Sequence, residues 1–276
     1  MSDRALTTRL RTLAGARIAL GVVVLVRTTP AAAWLGLPID APRVLVDWPG
    51  AAWAVHAGAS MPAGLVAVLC ILRTAGAAAF LFGLWTRGSA LVAAVAGVAL
   101  LTQDVFVATH TFRLLYGSLF VLAFTDCGAA WAVRVLPARD LRSSEWLVRC
   151  WALSVYAWAV VAKLRPGWWT GRALLLDASD GLFRPWVVRA FLSSAHACAT
   201  TAILVLALEA LIAGLLVSRH THRAAVALAL AMHVAFELVA TPDVFGAVMI
   251  ALLGVVWTST EQAPDRGRLS MGEVRA

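Results

Sequence analysis

The sequence predicts an all-α fold, a polytopic helical membrane bundle of about eight transmembrane helices, and three observations carry that prediction. Hydrophobic residues make up 61% of the 276 positions and charged residues 14%, with a mean hydropathy of +0.83, leaving too little polar surface to clothe a water-soluble domain. The apolar residues fall in runs near the length that a span needs, roughly 20 residues for a hydrocarbon core of about 30 Å. These runs are continuous and rich in Ala and Leu, without the alternation of lipid-facing barrel strands.

In chain order the runs are Leu13–Val26, Ala63–Trp85, Ser89–Thr109, Leu114–Val133, Trp146–Lys163, Ala195–Val217, Arg223–Val239 and Phe245–Thr258. The first lacks a small-residue cleavage pattern and reads as a span, not as a signal peptide. Two connections are too long to be turns, Arg27–Pro62 and Leu164–Ser194. Their tryptophans, Trp34, Trp48 and Trp53 in one and Trp168, Trp169 and Trp186 in the other, suit interfacial helical segments on the outer side. Residues 1–260 are expected to form one transmembrane domain and 261–276 a polar cytoplasmic tail.

The formal charge of +8 does not point to nucleic acid, because the arginines are scattered over short connections and form no basic stripe. Topology accounts for them. With an inner N-terminus, Arg9, Arg11, Arg87, Arg134, Arg139, Arg142, Arg149, Arg219 and others on the inner side outnumber Arg43, Arg113, Lys163, Arg165, Arg172, Arg184 and Arg189 on the outer side, so both termini are expected in the cytoplasm. Trp85, Trp131, Trp146 and Trp257 would form the inner aromatic belt. Cys70, Cys127, Cys150 and Cys198 have no metal-ligand spacing and read as packed thiols, so no metal is expected.

Ionisable groups at membrane depth are costly unless paired, hydrated or neutralised. Gln103, Asp104, His110, Arg113, Tyr116, Lys163, His196, His233, Glu237 and Asp243 all fall in the outer half of the predicted topology, converging from different helices as a bundle site would. His233 and Glu237 are four positions apart and share a helix face. Lys163 is the sharpest signal, a single lysine among 23 Lys and Arg residues, at the end of a hydrophobic run. A lysine pressed into an apolar site can shed its proton and act as a base, whereas arginine cannot. A deeper layer, Arg17, Arg73, Asp126 and Glu209, is expected to form ion pairs that fix helix register, with Arg73 meeting Asp126 or Glu209.

Three blocks carry a resemblance. Tyr116-Gly117 with Phe124-Thr125-Asp126 and Trp131-Ala132-Val133, then Tyr156, Ala162-Lys163-Leu164 and Trp169-Thr170-Gly171, then Met232-His233 through Phe245-Gly246 and Met249, are similar to the membrane part of vitamin K-dependent γ-glutamyl carboxylase and its HTTM (horizontally transferred transmembrane) relatives. The resemblance implies a reduced quinone of the vitamin K or menaquinone type, with O2, as co-substrate. It implies Lys163 as the base that deprotonates the quinol, with His110 and His233 as polar assistants. Glu237, Tyr116, Arg113 and Trp169 are then the expected ligand-binding residues. Membrane lipid, a lipophilic quinone and a secreted or periplasmic peptide are the implied partners, in a bacterial cytoplasmic membrane with the site facing outward. The carboxylase continues past its spans into a large lumenal domain that handles its protein substrate, and this sequence stops soon after its eighth run. A non-catalytic membrane scaffold or partner subunit is the alternative expectation.

Overall fold

The computed structural model describes residues 3–28, 62–101, 110–218, 220–240 and 244–259, and these are all-α. A helix stands at each of the eight apolar runs. They are α1 (Asp3–Thr28), α2 (Ala63–Phe82), α3 (Thr86–Leu101), α4 (His110–Ala123), α5 (Leu141–Lys163), α9 (Ala195–Val217), α10 (His222–Val239) and α11 (Val244–Thr258). Between α5 and α9 come three short helices, α6 (Pro166–Trp169), α7 (Arg172–Ser179) and α8 (Pro185–Phe191). Residues 29–61 of the Arg27–Pro62 connection, with its three tryptophans, lie outside the described residues, as do Gln103, Asp104, Asp243 and the tail.

The helices pack in chain order as two groups, α1 to α4 and α5 with α9 to α11. Contacts of α11 with α1 and α4, and of α4 with α5, join the groups. The core runs along this seam, with Leu13, Leu20, Leu115, Leu119, Ile212, Met249 and Leu252 fully buried. The opposite faces are also apolar. Ile71, Val95, Leu204 and Leu238 are each more than 60% exposed, an arrangement that water would penalise and lipid does not. Gly64–Phe82, Ala195–Val217 and His222–Val239 are long and apolar enough to cross a bilayer, while Thr86–Leu101, Thr111–Ala123 and Val244–Thr258 are apolar but shorter. The protein is an integral membrane protein.

Local chemistry fixes the helix ends. α2 ends in a Schellman turn: Gly83 adopts φ 72°, Gly83 N–H donates to Phe80 O at 3.0 Å and Leu84 N–H to Ala79 O at 2.8 Å. Only glycine fits there, since a Cβ on Gly83 would lie 2.4 Å from the Ala132 side chain. α5 starts at Leu141, earlier than its apolar run, because the Asp140 carboxylate caps Ser143 N–H at 3.1 Å. It stops at Lys163 just before Pro166, which opens α6.

The fourth apolar run is corrected by the structure. Its helix ends at Ala123, not Val133, and the chain turns through Asp126 to Trp131. Arg17, fully buried on α1, holds that turn: its guanidinium donates to Cys127 O at 2.9 Å, to Ala130 O at 3.1 Å and to Trp131 O. A distant arginine therefore supplies the donors that helix continuation would have supplied. The carboxylate of Asp126 completes the clasp, accepting from Arg139 N–H at 3.0 Å and Asp140 N–H at 2.8 Å, and its own N–H donates to Ser144 Oγ at 2.9 Å.

Candidate functional site

One face of α5 carries Arg149, Tyr156 and Lys163, each two helical turns from the next. α9 runs antiparallel to it and presents Ala202, Glu209 and Leu216 at the same spacing, all buried. The two stripes meet. Arg149 donates to Leu216 O at 2.9 and 2.7 Å and to Val217 O at 3.0 Å, satisfying carbonyls left over at the end of α9.

Lys163 reaches Glu209 from the other end of the stripe. Its Nζ lies 2.7 Å from Oε1 and 2.6 Å from Oε2, with the two side chains 18% and 8% exposed. Side chains on a helix lean toward its N-terminus. Lys163 therefore leans down α5 into the bundle, Glu209 leans up α9, and they close a gap that neither backbone spans. The ammonium also stands over the Trp168 ring, 5.0 Å from its centroid, and Trp168 is itself anchored by Nε1–H donating to Ala202 O at 2.9 Å.

A second polar pair sits beside the first. The Tyr156 hydroxyl lies 2.7 Å from Nε2 of His233 on α10, both residues buried, and the Glu209 carboxylate is within electrostatic reach of the phenol. Phe245 of α11 covers the imidazole, ring centroids 5.5 Å apart. The short helices close this end. Leu174, Val187 and Leu192 pack on Cys198 and Ala202 of α9, Arg184 N–H donates to Val239 O at 3.0 Å, and Gly171, at φ 73°, sits directly against the start of α9. On α7, burial and then the like charge of Asp180 hold the Asp177 carboxyl above the ordinary carboxylate range.

Of the residues expected at the site, Lys163 and His233 come together, with Tyr156 between them and with Glu209, expected only in the deeper layer of ion pairs, on the lysine. Glu237, one turn beyond His233 on α10, packs its carboxylate over Gly246, where a Cβ would lie 2.2 Å from Oε1. Tyr116 belongs to a different group, its ring flat on Gly97 of α3 and beside Arg73. Arg113 is half-buried on α4. Trp169 is 47% exposed, and the tryptophan ring under the lysine is that of Trp168. His110 opens α4, and its side chain lies outside the described residues.

The expected partner of Arg73 is corrected. Glu209 pairs with Lys163, and Asp126 faces Arg87 at 3.6 Å. A further buried pair was not visible in the sequence: Arg9 Nε donates to Glu145 Oε1 at 2.6 Å, with Nη2 on Oε2, tying α1 to α5. Tyr156 was legible in principle, since its two-turn spacing from Lys163 puts both on one face. The four cysteines are unbridged, and among the described residues no three His, Cys, Asp or Glu side chains converge on one point.

No curated protein and no solved structure matches the chain. The family model of the HTTM domain does, over residues 7–260, from the first helix to the last and across every element that builds the Lys163, Glu209, Tyr156 and His233 cluster. The chain belongs to the HTTM family.

Proposed function

We propose that this HTTM protein handles a proton on a quinol-type lipophilic ligand in the outer half of the membrane, with the Lys163–Glu209 pair as acceptor. The observation that carries the reading is the pair itself, a lysine and a carboxylate held within 2.7 Å at low exposure, beside the Tyr156–His233 hydrogen bond. In a low-dielectric site the proton between such partners can rest on either one. With it on Glu209, the Lys163 amine is neutral and takes a proton from a ligand hydroxyl: the ligand O–H breaks and an N–H forms. His233 and Tyr156 are neutral polar neighbours suited to orienting the hydroxyl. O2 is the oxidant in the vitamin K-dependent, carboxylase-like chemistry that the resemblance implies.

In this reading eight helices cross the cytoplasmic membrane of a bacterium, both termini are cytoplasmic, and α6 to α8 lie at the outer interface. Membrane lipid and a reduced quinone of the vitamin K or menaquinone type are the partners, and a secreted or periplasmic peptide would be the later substrate. The test is to incubate purified full-length protein with reduced menaquinone and O2 and to look for the epoxide by mass spectrometry. Epoxide from the native chain that Lys163→Arg abolishes supports the reading; epoxide that survives Lys163→Arg overturns the role of the lysine.

The scaffold reading is favoured by one fact, that two of the three ammonium donors of Lys163 are engaged by Glu209. It expects that replacing both partners, Lys163→Met with Glu209→Leu, leaves quinone binding unchanged and the fold intact.

A further inference from the structure

At the opposite end of the bundle from Lys163 lie two adjoining hollows that the proton-handling reading leaves without a role. The larger, about 510 Å³, is lined by Trp85, Arg87, Gly88, Leu136, Pro137 and Arg139. The smaller, about 300 Å³, shares Arg87 and Arg139 and adds Asp126, Asp140 and Trp146 to its walls.

Asp126 holds the two arginines to one hollow. Its Oδ1 faces Arg87 at 3.6 Å, and its Oδ2 accepts the Arg139 and Asp140 backbone N–H groups, pinning the loop that carries Arg139. Neither guanidinium is used up. The Arg87 side chain is 38% exposed, Arg139 is exposed, and among the described residues no acceptor meets the Arg139 guanidinium. No acidic residue lines the larger hollow, so two positive charges with a fork of donors each face a space whose other walls are apolar.

The rim says what kind of anion fits. Trp85 is 73% exposed at the mouth, and beyond it the exposed Phe82 and Leu84 continue the apolar outer face of α2. A free inorganic anion has no use for such walls. A phosphate carrying acyl chains does, with the indole at headgroup depth and the chains running along α2.

We propose that the hollow between Trp85 and Arg139 binds the headgroup of an anionic phospholipid, with Arg87 and Arg139 gripping the phosphate and Trp85, Leu84 and Phe82 receiving the first part of the chains. The site is separate from the Lys163 cluster and does not depend on its chemistry.

Native mass spectrometry on delipidated full-length protein in detergent, titrated with phosphatidylglycerol or phosphatidylcholine, tests this. The native chain should retain phosphatidylglycerol several-fold better, and millimolar inorganic phosphate should not displace it. Arg87→Gln with Arg139→Gln should bring both lipids to one level, while Arg134→Gln with Arg142→Gln, exposed arginines outside the hollow, should keep the preference. Loss of equal size in both double variants, no preference in the native chain, or full displacement by inorganic phosphate overturns the site. Should the first double variant not fold, Arg139→Gln alone serves, and an unchanged preference in it overturns the site equally.

Discussion

Lys163 holds both carboxylate oxygens of Glu209, at 2.7 and 2.6 Å, across the seam between α5 and α9. The pair joins the last residue of α5 to the interior of α9, so breaking it leaves a charge with low exposure and no carboxylate–ammonium partner. Lys163→Met and Glu209→Leu singly are each expected to destabilise the protein by about 3 kcal/mol, and the double variant to recover most of that loss. Unfolding midpoints in mixed micelles, read as a double-mutant cycle, check this; additive losses would mean that the two side chains do not act on each other.

Arg17 spends three donors on the carbonyls of Cys127, Ala130 and Trp131. Arg17→Met should cost about 3 kcal/mol, because the turn then buries carbonyls with no donor. Arg17→Lys should rescue only part of this, an ammonium being unable to fan over three acceptors as a guanidinium does. Hydrogen exchange at residues 127–131 should rise in both variants, and unchanged protection there would argue against the clamp.

Tyr156→Phe removes the hydroxyl at 2.7 Å from His233 Nε2 and little else. The expected cost is about 1–2 kcal/mol, from the imidazole left without its partner. His233→Leu in the Tyr156→Phe background should recover some stability by replacing both polar groups with apolar ones. A neutral single variant would indicate that His233 finds a different partner.

Two carboxylates outside the spans should tilt the pH dependence of stability in opposite directions. Asp177 is held above the ordinary carboxylate range by burial, so the folded state keeps its proton and stability falls as pH rises through that raised range. Asp177→Asn should therefore gain stability above that window and nothing below it. Asp140 is held low by the Ser143 hydroxyl and N–H, so its contribution is present above the ordinary range and lost as pH falls through the lowered value. Asp140→Asn should flatten the acid side of the Tm profile, and parallel profiles for all three proteins would contradict both assignments.

The sequence by itself determined the helical membrane architecture, because burial in lipid depends on a running sum of side-chain polarity that is local and needs no partner. All eight apolar runs became helices, and the motif blocks around Asp126, Lys163 and His233 were enough to point to the HTTM family. The tertiary structure decided the ends and the partners. α4 stops at Ala123 because Arg17, more than a hundred positions away, answers the turn's carbonyls. Glu209 meets Lys163 and not Arg73 because the phase of two antiparallel helices and the lean of their side chains set which charges touch. Polarity adds up along a chain, whereas pairing depends on how two helices are rotated against each other, and only the packed bundle fixes that rotation.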